Sequence, residues 1–185
     1  MLGNQTVQGQ GLENDYGYNL DAGKIINGWM PFEFAGRKFP IYGGPYRAKP
    51  DNVPGVKMAE EIKAPCEIDI PTRDFDVPDV STFKQGLAWG VSCLMEHGDL
   101  YVGCMGGIGR TGLYMAGLAK LMGVENPVGY VRQYYIPHAV ETQQQQDYIN
   151  DLDVTEMRKI LLETYAPHPE PQTLFSRLWD LLFKW

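Results

Sequence analysis

The sequence predicts an α/β domain, a small central sheet flanked by helices, on three observations. A hairpin-like pair of apolar stretches is followed by a strand, a helix, a second strand and then several helices. That is the order expected of a sheet with helices packed on it. A glycine-rich turn joins the buried-strand pattern of Leu100–Cys104 to the next helix. The length of 185 residues, 44% of them apolar, suits one domain with a full hydrophobic core.

The elements follow in order. Residues 31–35 (PFEFA) and 38–42 (KFPIY) alternate apolar and polar positions around Gly36-Arg37, which predicts a hairpin. Gly43 to Pro54 reads as a loop from its Gly, Pro and Asn content. Residues 67–71 (EIDIP) read as a short strand, followed by a polar loop from Thr72 to Val80. Ser81 is the expected N-cap of a helix in which Phe83, Leu87, Val91 and Leu94 recur at helical spacing up to Gly98. After the strand at 100–104, a helix is expected from Arg110 to Met122, with Gly123 as its stop signal. Asn126-Pro127 pairs a cap with a first-turn proline for a helix to about Tyr135. Further helices are expected over 141–151 and 154–165. The run of four glutamines at 143–146 reads as a solvated helix face.

The core domain is thus expected over 25–165. Residues 1–24 are expected to form a flexible tail. Residues 166–172 are expected to form a Pro-rich linker, and 173–185 an apolar helix carrying Leu174, Phe175, Leu178, Trp179, Leu182, Phe183 and Trp185. That helix is expected to dock on the domain, or else to form a homodimer or partner contact.

Charge and composition exclude several function classes. Sixteen Lys and Arg against 23 Asp and Glu leave a net charge of −7, which argues against general nucleic-acid binding. One local anion site remains compatible with that balance. No apolar run is long enough for a membrane span, and the first ten residues lack the pattern of a secretory signal. The three cysteines (66, 93 and 104) suit a reducing, cytoplasmic setting.

The chemistry concentrates in Gly103-Cys104-Met105-Gly106-Gly107-Ile108-Gly109-Arg110-Thr111-Gly112. Glycines at a strand-to-helix turn let successive N–H groups converge on an anion in front of a helix N-terminus. A Walker A loop fails here, because Cys104 stands at its first glycine and Arg110 at its lysine. A dinucleotide fingerprint is formally present at 107–112, but no strand ending in an acidic residue follows at the required distance. A cysteine separated from an arginine by five residues uses every unusual residue. The amides that bind an anion also stabilise a thiolate, and the guanidinium holds two phosphate oxygens at once.

This Cys-x5-Arg-Thr loop, with its glycines and closing Thr-Gly, resembles that of the cysteine-dependent protein tyrosine and dual-specificity phosphatase superfamily. The resemblance covers residues 38 to about 150. It implies a protein-tyrosine-phosphatase-like fold and hydrolysis of phosphomonoesters through a phosphocysteine, with no metal or organic cofactor; the alternative is a phosphate-binding pseudophosphatase without turnover. Cys104 would be the nucleophile and Thr111 its hydrogen-bond partner. Met105, Gly106, Gly107, Ile108, Gly109 and Arg110 would cradle the phosphate. Asp74, four residues before Pro78, resembles the family's general acid, with Asp76 and Asp79 as the other candidates. Glu141 and Gln145 resemble the segment that handles the hydrolytic water, with Gln145 orienting it. Glu141 and Thr142 are equally readable as a helix start, and the glutamine run leaves the register open by one.

The chain departs from the family pattern at Gly103, where many relatives carry His. A less completely stabilised thiolate is expected, or compensation by another donor, with His97 and His138 as candidates by default. Substrates implied are a phosphorylated protein or a small phosphorylated molecule. The absence of lysine from the loop disfavours multiply phosphorylated inositol lipids. Tyr42 and Tyr46 are candidate aromatic walls of a phosphotyrosine cleft, or else loop aromatics packed on the sheet. Arg47, Arg73 and Arg132 are candidate sources of positive potential.

Overall fold

The computed structural model describes residues 27–166. Its strands are β1 (Gly28–Phe34), β2 (Arg37–Pro45), β3 (Gly55–Ala59), β4 (Ile68–Thr72) and β5 (Leu100–Cys104). Its helices are α1 (Val80–His97), α2 (Gly109–Met122), α3 (Pro127–Tyr134), α4 (Gln143–Asp151) and α5 (Thr155–Tyr165), with one 3-10 turn at Tyr46–Ala48. The five strands form one sheet in the order β1-β2-β5-β3-β4. β1 and β2 are antiparallel, and the remaining pairs are parallel. The expected α/β architecture is therefore present. The tail and the C-terminal apolar helix lie outside the described residues.

Local chemistry explains most boundaries. The hairpin turns at Ala35 and Gly36, both at positive φ (49° and 74°), which suits the twist of the flanking strands. β2 runs on to Pro45, through residues expected to be loop, because β5 pairs with it from Ile41 to Pro45. α1 is capped by Asp79, not Ser81: Asp79 accepts from the Thr82 N–H. The Asn126-Pro127 start and the Gly98 and Gly123 stops are where the sequence put them. α4 begins with a capping box, in which the Thr142 side chain accepts the Gln145 N–H and Gln145 reaches back.

β3 was not foreseen. Gly55-Val-Lys-Met-Ala is short and contains glycine and lysine, yet pairs with β5 on one side and β4 on the other. Its Lys57 is buried and forms an ion pair with Asp69 of β4 at 3.0 Å.

The main core lies between the sheet and the helices, with Phe32, Ile41, Val56, Ile70, Phe83, Leu87, Val102 and Leu118 at its centre. The opposite sheet face carries a smaller cluster of Tyr42, Val53 and Tyr101. This division follows the two-residue period of the strands. β5 sits in the middle of the sheet and delivers Cys104 at its C-terminal end, next to the N-terminus of α2. Such a strand end is where open parallel sheets bind ligands.

Leu87 is fully buried and packs on Gly117 of α2, where an added Cβ would approach it to 2.9 Å. Leu87→Ala is expected to destabilise the domain by about 2–5 kcal/mol. Urea unfolding checks this as a lower midpoint at unchanged slope.

Candidate active site

Cys104 is 3% exposed. Its Sγ accepts the Gly107 N–H at 3.2 Å and the Thr111 hydroxyl at 3.3 Å. Gly107 has φ +72°, and its Cα lies against the backbone of Gly44 in β2, so a side chain here would be both strained and blocked. Ile108 stands at the N-cap of α2 without a side-chain cap bond, and Gly109 opens the helix. The first-turn amides therefore face the loop instead of a capping side chain. Met105 and Gly106 are exposed on the rim, while Gly107 and Gly109 are buried.

Arg110 is fully embedded. Its Nη1 and Nη2 donate to the two Glu61 oxygens at 2.9 and 2.8 Å, and Nη1 also donates to the Thr72 carbonyl at 2.9 Å. Nη2 lies 3.0 Å from Asp74 Oδ1. The buried Nε–H has no partner among the described residues. A buried donor without a partner is costly, and an oxyanion in the loop would satisfy it.

The three candidate aspartates separate cleanly. Asp74 is the one at Arg110, with its carboxylate 60% exposed. Asp76 turns away: its Oδ1 accepts the Val77 N–H at 2.8 Å and the Gln144 amide at 3.0 Å. Asp79 is the N-cap of α1, and its bonds to Ser81 and Thr82 hold its carboxyl below the ordinary value.

Gln145 is fully buried beside the loop. Its Oε1 accepts the N–H groups of Glu141 (2.9 Å) and Thr142 (3.4 Å), and its Nε2 donates to the Asp76 carbonyl at 3.3 Å. A Cβ on Gly109 would meet Gln145 Oε1 at 3.2 Å and the Glu141 carboxylate still closer. Both residues thus border the Cys104–Arg110 loop. The glutamine run is not simply a solvated face, since Gln144 and Gln145 both bind the segment carrying Asp76.

The structure also places the remaining candidates. Tyr42 and Tyr46 are 1% and 3% exposed and wall no cleft; Tyr46 donates to the Pro65 carbonyl instead. Arg132 donates to the carbonyls of Ala139 and Val140, shaping the approach to Glu141. Arg73 is exposed and pairs with Glu60, and Arg47 is exposed. His97 and His138 are exposed, and His97 faces Glu96. Gly103 has a steric reason: a Cβ there would lie 2.7 Å from Tyr46 Cα and 2.9 Å from its N. Backbone cannot yield as a side chain does, so histidine is barred. Sequence reasoning missed Glu61, Asn27 and Tyr135. No local pattern marks Glu61, whose role arises only from the fold bringing the end of β3 to Arg110. Among the described residues, no group of three or more His, Cys, Asp or Glu is placed to hold a metal ion. No described helix is long and apolar enough to cross a membrane.

No protein-family model matches the chain. Two uncharacterized proteins of Methanocaldococcus jannaschii are similar in sequence. MJECL20 is 34% identical over 96 residues, 50% of this chain and 65% of the relative. MJ0215 is 31% identical over 106 residues, 56% of this chain and 65% of the relative. The chain thus spans 65% of the length of each of these relatives. Among solved structures, DUSP15 superimposes with a TM-score of 0.56 at 17% identity, covering 76% of this chain and 98% of that one. Tk-PTP in its active form gives 0.53 at 23% identity, covering 67% and 97%. The core catalytic domain of the PP-IP phosphatase SIW14 of S. cerevisiae gives 0.51 at 14% identity, covering 67% and 87%. The fold is that of the protein tyrosine and dual-specificity phosphatases.

The Arg110 hydrogen bonds hold the Glu61 carboxyl below its ordinary value near 4.5. A carboxyl lowered in the folded state adds stability above its unfolded value and loses it as pH falls through the folded one. Parent and Glu61→Gln are therefore expected to differ by a constant urea midpoint from pH 7 to about 5, with the gap closing at lower pH. Gly103→Ala is expected to cost about 1–3 kcal/mol by overpacking at Tyr46, read by the same method.

Proposed function

We propose that the protein is a cysteine-dependent phosphatase that hydrolyses phosphomonoesters through a phosphocysteine intermediate. The observation that carries the reading is the Cys104 sulfur receiving two hydrogen bonds at the mouth of an uncapped helix, six residues before a buried arginine whose Nε–H is unpartnered.

In the proposed reaction the phosphate sits on the amides from Met105 onward and on the Arg110 guanidinium. The Cys104 thiolate attacks phosphorus, forming the S–P bond as the bond to the leaving oxygen breaks. Asp74 gives that oxygen a proton. The incoming phosphate takes over Nη2 from Asp74. Water then attacks phosphorus, Asp74 takes its proton, and the S–P bond breaks to restore the thiolate and release phosphate. Gln145, with Glu141 beside it at Gly109, is assigned to orient the water. Thr111 supports the thiolate as it is regenerated.

Phosphorylated protein is the proposed substrate class. A small phosphorylated metabolite or nucleotide is the second reading. It gains from the burial of Tyr42 and Tyr46, which removes the aromatic wall a phosphotyrosine cleft needs, and from the name of SIW14, a PP-IP phosphatase. Trapping from a lysate with Asp74→Ala separates the two, since one reading requires a retained phosphoprotein and the other a retained small molecule.

Turnover of an aryl phosphate is expected to resist chelators, to be blocked by vanadate and to vanish in Cys104→Ser. Full activity in that variant overturns the mechanism. Asp74→Asn is expected to lower kcat about 10²–10⁴-fold for an alkyl phosphate, whose leaving oxygen needs the proton, and far less for p-nitrophenyl phosphate.

A further inference from the structure

A trans peptide group points its C=O and N–H in opposite directions. A cradle of amides therefore depends on what holds the carbonyls on its outer side. At Gly106-Gly107 neither residue has a side chain to set the orientation of its peptide. Both carbonyls are instead held from outside the loop. Asn27 Nδ2 donates to the Gly106 carbonyl at 2.8 Å and to the Gly107 carbonyl at 3.1 Å. The Tyr135 hydroxyl donates to the Gly107 carbonyl as well. The Gly106 carbonyl shares its peptide with the Gly107 N–H, which is the group that donates to Cys104 Sγ. The Gly107 carbonyl shares its peptide with the N–H of Ile108, the next amide of the cradle.

The seat of Tyr135 is built into the sheet. Gly28 and Gly43 face each other across the β1–β2 ladder. A Cβ on Gly28 would come within 2.6 Å of the Tyr135 carbonyl oxygen, and one on Gly43 within 2.7 Å of its ring. Two side chains are absent from the ladder where this ring lies. Burial raises the Tyr135 hydroxyl far above its ordinary value, so it stays a donor across the range in which the protein would work.

We propose that Tyr135 and Asn27 are positioning residues of the phosphate loop, holding the 106–107 and 107–108 peptides with their N–H groups turned inward. They order the loop from outside, where Gly103 leaves no room for a histidine to do so from the preceding position. The inference rests on reading the Cys104 loop as a phosphate cradle.

Tyr135→Phe keeps the ring in its seat and removes only the hydroxyl. Asn27→Ala removes the amide and leaves the Asn27 N–H bonded to the Gly43 carbonyl at 2.8 Å. Both are made in the full chain. The decisive measurement is the ratio of Cys104 alkylation rates by iodoacetate and by iodoacetamide at one pH, followed by mass spectrometry of the Cys104 peptide. The ratio reports attraction of an anion to the cradle and cancels the thiolate fraction. Each variant is expected to keep its Tm within about 5 °C and to lower the ratio about 3- to 10-fold. KM for an aryl phosphate and Ki for vanadate are expected to rise together by a similar factor. Parental ratio and vanadate affinity in both folded variants overturn the proposal; should one variant fail to fold, the other decides. A parent chain without turnover overturns the phosphatase reading instead, while the alkylation ratio still judges the clamp.

Discussion

Arg110 carries its charge at every pH at which the protein folds, and only 2% of its side chain is exposed. A buried cation is tolerated only with partners in good geometry. Those partners come from three separate segments. Glu61 lies just beyond β3, the Thr72 carbonyl ends β4, and Asp74 lies in the loop before α1. Satisfying one guanidinium therefore gathers the ends of two strands and the acid loop around the start of α2. The distance from Cys104 to the acid loop is set by this requirement. The fork with Glu61 uses the two outer nitrogens, and Nε has no hydrogen-bond partner among the described residues.

The loop reaches this position because backbone approaches backbone. Gly107 lies against Gly44 and Gly103 against Tyr46, and each of these approaches excludes a Cβ. Gly109 lies against the side chains of Glu141 and Gln145. Glycine costs backbone entropy on folding, and the chain accepts that cost most densely here. The 21 glycines of the sequence thus have a concentrated reason. The loop is wedged between β2 and α4 and is not simply hung from the end of β5.

What the sequence made legible was local. The strand, turn and helix around Cys104, the hairpin, and the capped start of α3 all follow from neighbours in the chain, through period, turn residues and caps. Asp74, which the resemblance offered as the acid, lies at Arg110. What stayed hidden was made by tertiary contact. β3 exists because it is paired on both sides. Glu61 is an ordinary exposed glutamate until the fold brings Arg110 to it. Tyr135 reads as the tail of a helix, and nothing local says that a glycine pair in another element awaits its ring. Of the two readings open for Tyr42 and Tyr46, packing on the sheet is the one the structure takes: β5 pairs with β2 through the segment that looked like loop, and burial follows from that pairing.

The acid loop shows the two kinds of restraint side by side. At Asp76 it is tied to α4, through Gln144 to the carboxylate and Gln145 to the carbonyl. Thr142 adds a bond to the Phe75 carbonyl at 3.4 Å. Phe75 turns the chain at φ +61°, and Asp74 on its far side is held to Arg110 at the exposed end of the site. Hydrogen bonds from uncharged donors hold the pinned side. The other side is an ion pair in which any oxyanion is a rival for the same nitrogen. In the proposed reaction, binding of a phosphate would therefore act on Asp74 and leave Asp76 in place. The Asp74 carboxylate would be released to the substrate, while the loop that carries it stays tied to α4.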